Sequence, residues 1–208
     1  EVVTIIEHDQ PYCYPSLLDL KDAFRECVQK LSSTGALIAY SEDPGASDLL
    51  LQADRIGKAS LAYALKPSNS RRGKAGIFTT SHMPNGKGGF TFNASILGTP
   101  VTVELQVPGT HNILNALAAL AVAKLLDLPL PEAAHALGQF TGTRRRFEVR
   151  GKVNGITIID DYAHHPTEIR ATLAAARARY PGSPIWAFWQ PHTYSRTKLL
   201  LKEFANSF

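Results

Sequence analysis

The sequence predicts an α/β fold in two parts: a parallel sheet with helices plus a small antiparallel sheet, then a second α/β part after residue 143. Short apolar runs rich in β-branched residues alternate with stretches of helical spacing, the rhythm of strand–helix–strand units. Between about residues 75 and 107, three strand-like runs follow one another with short spacers bearing Gly, Pro and Asn, which suits antiparallel neighbours. Past residue 143 the strand–helix rhythm returns, so the expected division is 1–143 and 144–208.

The elements follow in order. Val2–Ile6 has strand character and ends at EHDQP. Ser16 is placed as an N-cap with Asp19 at the capping-box position, and Leu17, Leu20, Phe24, Val28 and Leu31 mark one helical face. ALIAY (36–40) reads as a strand, DPG as a turn, SDLLLQA as a short helix and SLAYAL as a strand. KPSNSRRGK is a loop before the three runs AGIFTTSHM, GGFTFNASIL and PVTVELQV. ILNALAALAVAKLL and LPLPEAAHALGQF are helices, the second with Pro131 suited to its first turn. RRRFEVRGKVNGITIIDD reads as a hairpin turning at Asn154-Gly155. A helix from Pro166 to Tyr180, a strand PIWAFW and a closing helix YSRTKLLLKEFANSF complete the chain.

Composition excludes several classes. The 208 residues are 44% hydrophobic and 19% charged, with no apolar run near the length that spans a bilayer and no signal-peptide pattern. Cys13 and Cys27 read as two free thiols of a reducing cytoplasm. The net charge of +4 suits an anionic ligand. The basic clusters, Arg71-Arg72 with Lys74 and Arg144–Arg146 with Arg150, are short and lack interleaved aromatics, so neither nucleic acid nor membrane is an expected partner. The chain has no initiator Met and opens within a strand, and is read as a piece of something longer.

Three stretches carry chemistry, and two more imitate it. IGKAS (56–60) and RRGKAG (71–76) imitate a phosphate loop, but Gln52 and Pro67 or Ser68 stand where its first Gly belongs and Ala59 and Ala75 follow the lysines. In GTHNILNALAA, Asn112 and Asn115 share a helical face; Asn112 suits an N-cap, whereas Asn115 lies inside an Ala/Leu helix, where an amide could meet an adenine edge. In DDYAHHPTE (160–168), carboxylates and histidines crowd the end of an apolar strand, where open α/β sheets bind ligands. There a carboxylate can accept from ribose hydroxyls, Asp161, His164 and His165 could hold a metal, or one aspartate could cap the next helix. In WQPHTYSRT (189–197), Arg196 follows another apolar run and can hold a carboxylate by its fork.

GTHNILNALAALA, RRRFE, DDYAHHPTEI and QPHTYSRT, in this order, resemble the Mur ligases of peptidoglycan synthesis along essentially the whole chain, more loosely over 41–100. The resemblance implies the later part of a central ATPase domain followed by the start of a Rossmann-like C-terminal domain. It implies ATP and Mg²⁺, and UDP-N-acetylmuramate and L-alanine as substrates, joined through an acyl phosphate. By position, His111, Asn112, Asn115, Arg146 and Asp161 match nucleotide contacts, and Tyr162, His164 and Arg196 match the amino-acid site, with His164 and Arg196 also the catalytic positions. Gln10 of EHDQ stands where the family has a metal-serving histidine, and Thr193 where some members have a second arginine. Lacking a phosphate loop, the chain alone is expected not to turn over. The alternatives are a ligase attaching a recycled tripeptide to UDP-N-acetylmuramate, and a metal-dependent hydrolase using Asp161, His164 and His165.

Overall fold

The structure, a computed structural model, describes residues 1–9, 11–67 and 76–208. Its larger sheet has six strands in chain order: β1 (Val2–Val3), β2 (Ala36–Tyr40), β3 (Ala59–Ala64), β4 (Ile77–Pro84), β5 (Phe90–Ile96) and β6 (Thr99–Glu104). β1 to β4 pair in parallel, and β5 and β6 add on antiparallel. The three late strands therefore form no separate antiparallel sheet. Tyr63 pairs with Ile77, so β4 extends the parallel sheet on one side while it starts the meander on the other.

Both faces of the sheet's parallel part are covered. Along β2, Leu37 and Ala39 pack with Val28, Leu49 and Ala53 on one face, while Ile38 packs with Tyr63, Leu117 and Leu120 on the other. ALIAY is uniformly apolar for this reason, since a parallel strand buried on two sides has no polar face to show. The first face carries α1 (Leu17–Gln29) and α2 (Pro44–Arg55), and the second carries α3 (Thr110–Leu125) and α4 (Leu130–Gln139). Burying a side chain such as Leu117 or Leu120 contributes roughly 1.5–3 kcal/mol each.

The helix ends follow local chemistry. Asp19 N–H donates to Ser16 Oγ at 3.2 Å and Ser16 N–H to Asp19 Oδ2 at 2.9 Å, the reciprocal box expected. Leu20, Phe24, Val28 and Leu31 face the core, but Leu17 is 40% exposed and lies off that face. DPG is not a free turn. Asp43 caps α2, Pro44 fills its first turn, and Gly45 admits close approach, because a Cβ there would lie 2.7 Å from Ile6 Cβ. Asp43 Oδ1 accepts from Ala46 N–H at 2.7 Å and Ile6 N–H at 3.2 Å, fastening the chain beyond β1 to the helix start. Pro131 does occupy the first turn of α4.

Beyond α4, β7 (Glu148–Val153) and β8 (Ile156–Asp160) form the expected hairpin. Asn154 and Gly155 both have positive φ, 49° and 82°, as the turn of a right-twisted hairpin requires. α5 (Pro166–Arg179) follows, and the expected closing helix is broken at Leu200 into α6 (Tyr194–Leu199) and α7 (Leu201–Ala205). PIWAFW is not a strand: it pairs with no described neighbour, and Trp186 and Phe188 are 83% and 94% exposed. Strand propensity alone supplies no ladder partner.

Candidate functional site

The α3 N-terminus presents an amide relay. Gly109, at φ 92°, starts the helix, so Asn112 falls inside the first turn and is not the cap expected of it. Its Nδ2 donates to Pro108 O at 2.7 Å and approaches His111 Nε2 at 3.2 Å, and its Oδ1 accepts from Asn115 Nδ2 at 3.3 Å. Asn115 is exposed on an otherwise apolar helix. Burial holds the half-buried His111 below the usual imidazole pKa, with the Asp161 charge opposing and the Arg146 charge adding to that shift. His111 thus shares one electrostatic environment with both residues.

Asp161 organises the loop around it. Its Oδ2 accepts from Phe147 N–H at 2.8 Å and its Oδ1 from Ala163 N–H at 2.7 Å. Arg145 and Phe147 both lie in the left-handed region, φ 57° and 49°, a costly pair for residues with side chains. Three bonds hold them there: Phe147 N–H to Asp161, Arg145 N–H to Glu148 Oε2 at 2.9 Å, and Tyr162 N–H to Arg145 O at 2.7 Å. The Arg145 guanidinium lies 4.6 Å from the Tyr162 ring centre, and the Tyr162 ring meets His164 edge-on at 4.8 Å.

Neither aspartate caps α5. His165 does, its Nδ1 accepting from Thr167 N–H at 3.3 Å, with Glu168 completing a capping box. The same Nδ1 lies 3.2 Å from Glu7 Oε2, so its lone pair serves the helix or its proton serves the carboxylate, one at a time. Glu168 Oε2 accepts from His164 N–H at 2.9 Å and His165 N–H at 3.3 Å, while Arg146 Nη1 reaches its Oε1 at 3.3 Å. Burial raises the Glu168 pKa, but the His164 N–H bond and the His164 and Arg146 charges outweigh it, leaving the net shift downward.

Two carboxylates from the segment after β1 complete the site. Glu7 Oε1 accepts from Thr167 Oγ1 at 2.7 Å. Asp9 faces Arg196, which is 4% exposed: Nε and Nη2 donate to Asp9 O at 3.0 and 2.8 Å. Nη2 also lies 2.9 Å from Asp9 Oδ1, an ion pair by distance, though Oδ1 makes no aligned hydrogen bond. Arg196 Nη1 is buried with no partner among the described residues. The fork expected to be open to a ligand is thus engaged along one side, with one nitrogen left over.

Glu7 and Asp9 were missed by the sequence reading. Their signal was the one that singled out DDYAHHPTE, carboxylates just past an apolar strand. Gln10 and most of RRGKAG lie outside the described residues. The hydrolase alternative finds no support. Asp161 is bound to two main-chain N–H groups and His165 caps a helix. No three His, Cys, Asp or Glu residues gather for a metal among the described residues. A cavity of about 670 Å³ lies between β6 and α4, away from the site. A second of about 320 Å³ is lined by Glu7, Asp9, Tyr14, Phe24 and Cys27 and opens beside it.

A largely parallel sheet covered on both faces over its parallel strands, followed by a hairpin and helices, defines an α/β protein. Residues 2–123 match the Mur ligase middle domain and 145–208 the Mur ligase glutamate ligase domain. The chain belongs to the Mur ligase family. Over its whole length it is 43% identical to the UDP-N-acetylmuramate–L-alanine ligase of Desulforamulus reducens and 39% identical to that of Salinibacter ruber. It spans 43% and 42% of those relatives' lengths. The crystal structure of UDP-N-acetylmuramate–alanine ligase from Thermotoga maritima superposes on 96% of the chain and 43% of its own, with 26% identity and a TM-score of 0.71.

Proposed function

We propose that the chain is the nucleotide- and amino-acid-gripping portion of an ATP-dependent ligase that joins L-alanine to the carboxylate of UDP-N-acetylmuramate in the cytoplasm. Residues 1–143 form the later part of its central domain and 144–208 the start of its C-terminal domain. The observation that carries it is that α3 packs on α5 with His111, beside the α3 amides, within the charges of Asp161 and Arg146, while Asp9 lies between Arg196 and His164 of the 161–168 loop. The 43% identity to an L-alanine ligase supports the substrate choice over the tripeptide.

In this reading Asn112 and Asn115 offer donor and acceptor to the adenine, His111 lies beside them, and Asp161 accepts from ribose hydroxyls through lone pairs its two backbone bonds leave free. Arg146 provides positive charge where the phosphoryl group is transferred. Arg196 Nη1, which has no partner among the described residues, receives the alanine carboxylate, and Tyr162 and His164 border the amine. Glu7 and Asp9 fit Mg²⁺, which takes one or two protein carboxylates and completes its shell with water and phosphate oxygens. When bound, the ion neutralises charge on the transferring phosphoryl group.

The test is calorimetric titration of ADP into this chain and into Asn115→Ala. Asn115 suits the purpose because its only hydrogen bond among the described side chains is the 3.3 Å contact to Asn112. Binding that the substitution weakens about tenfold or more supports an adenine site here. Equal binding by both proteins would remove it. Full-length enzyme offered L-alanine or tripeptide in parallel decides the substrate.

A further inference from the structure

Glu168 does more than cap a helix. A capping box needs its carboxylate only on the N–H of His165, the residue before the helix. Here Oε2 also takes the N–H of His164 at 2.9 Å, the shorter bond of the two, and Oε1 takes the Arg146 guanidinium at 3.3 Å. Neither extra contact serves α5. The backbone on both sides of Arg146 is fixed, with Arg145 and Phe147 pinned by Glu148, Tyr162 and Asp161. Its side chain is about half exposed, and among the described residues its hydrogen bond is to Glu168. One carboxylate therefore sets the direction of the arginine assigned to the nucleotide and the height of the histidine assigned to the amino acid.

We propose that Glu168 is a positioning residue for the ligation, holding the Arg146 guanidinium and the His164 main chain in one frame so that nucleotide and amino acid meet in register. This rests on the ligase reading above. Glu168 acts through Arg146 and His164 and touches neither substrate. Removing its charge frees the guanidinium to point into solvent, and a displaced positioning group is felt at the reacting atoms even when stability is unchanged.

Glu168→Gln separates the two roles. The Gln carbonyl oxygen still accepts from both His164 and His165 N–H, whereas its NH₂ cannot pair with Arg146. The experiment uses full-length enzyme as wild type, E168Q, R146A and the double variant, with melting temperature, kcat and KM for ATP and L-alanine measured for each. Expected are an E168Q protein that melts slightly below wild type, as loss of the paired charge requires, but well above the assay temperature, and a kcat/KM for ATP lowered about tenfold. On the R146A background E168Q should bring no further loss, because the partner it acts through is already gone. Wild-type kinetics in E168Q, an equal loss with and without Arg146, or an E168Q that melts below the assay temperature each overturns the assignment. Failure of the wild-type enzyme to ligate L-alanine overturns the ligase reading instead, and is seen before any variant is compared.

Discussion

Arg196 donates from both Nε and Nη2 to the main-chain oxygen of Asp9, 187 positions earlier in the sequence. A guanidinium at 4% exposure is accommodated because that oxygen and the Asp9 carboxylate at 2.9 Å replace its water. Arg196→Ala leaves Asp9 without its cation. Since the Asp9 side chain stays 38% exposed, the expected loss is about 2 kcal/mol, below that of a fully buried pair. Arg196→Lys keeps the charge but not the two-nitrogen contact and should fall between. Urea unfolding of the three proteins checks the order; equal midpoints would show that the clasp holds nothing.

Gly109 is a backbone requirement. Its φ is 92°, and a Cβ built there would lie 2.4 Å from His111 Cε1. Gly109→Ala therefore both strains the helix start, at about 1–3 kcal/mol, and pushes His111 away from Asn112. The expected result is a lower melting temperature together with ADP affinity reduced more than in His111→Ala. A variant that melts and binds as wild type would refute it.

What could be read from the sequence was what is encoded locally. The Asn154-Gly155 turn, the Ser16–Asp19 box and the Pro131 helix start each depend on residues within four positions, and each was found where expected. DPG shows the ambiguity of that scale, because Asp before Pro suits a turn and a capped helix start equally well. His165 went unread as a cap because its ring nitrogen can play a part usually left to Ser, Thr, Asn or Asp. The pairings that build the site were out of reach. Glu7 to Thr167 spans 160 positions, and no periodicity records which loop a carboxylate will meet. The β3–β4 pairing was hidden likewise, since strand character says nothing about a neighbour.

Asp161 and Asn115 should behave differently when changed. Asp161 accepts from two main-chain N–H groups, and one of them holds Phe147 in the left-handed region. Asp161→Asn keeps one acceptor and turns an NH₂ toward the other N–H, at a cost of about 1–3 kcal/mol for the unpaired group. Asn115→Ala removes one 3.3 Å bond from an exposed position and should leave stability within about 0.5 kcal/mol. Chemical denaturation distinguishes them: a D161N protein as stable as N115A would mean that the 145–147 loop does not depend on that carboxylate.

His111 sets a pH dependence whose sign can be worked out. Burial, the largest influence, disfavours its charged form, and Arg146 adds to this while Asp161 opposes it, leaving the folded pKa below the ordinary 6.5. The unfolded chain thus takes up a proton at a pH where the folded protein does not. The stability this represents is present above 6.5 and is lost as pH falls through the lower folded value. His111→Gln, which does not titrate, should lack that component. Denaturation midpoints of the two proteins, measured between about pH 8 and 5, should hold a constant difference at the upper end. Below about pH 6.5 wild type should lose stability relative to the variant. A difference that is constant throughout, or that moves in favour of wild type on acidification, would show that His111 is not held neutral beside Asp161 and Arg146.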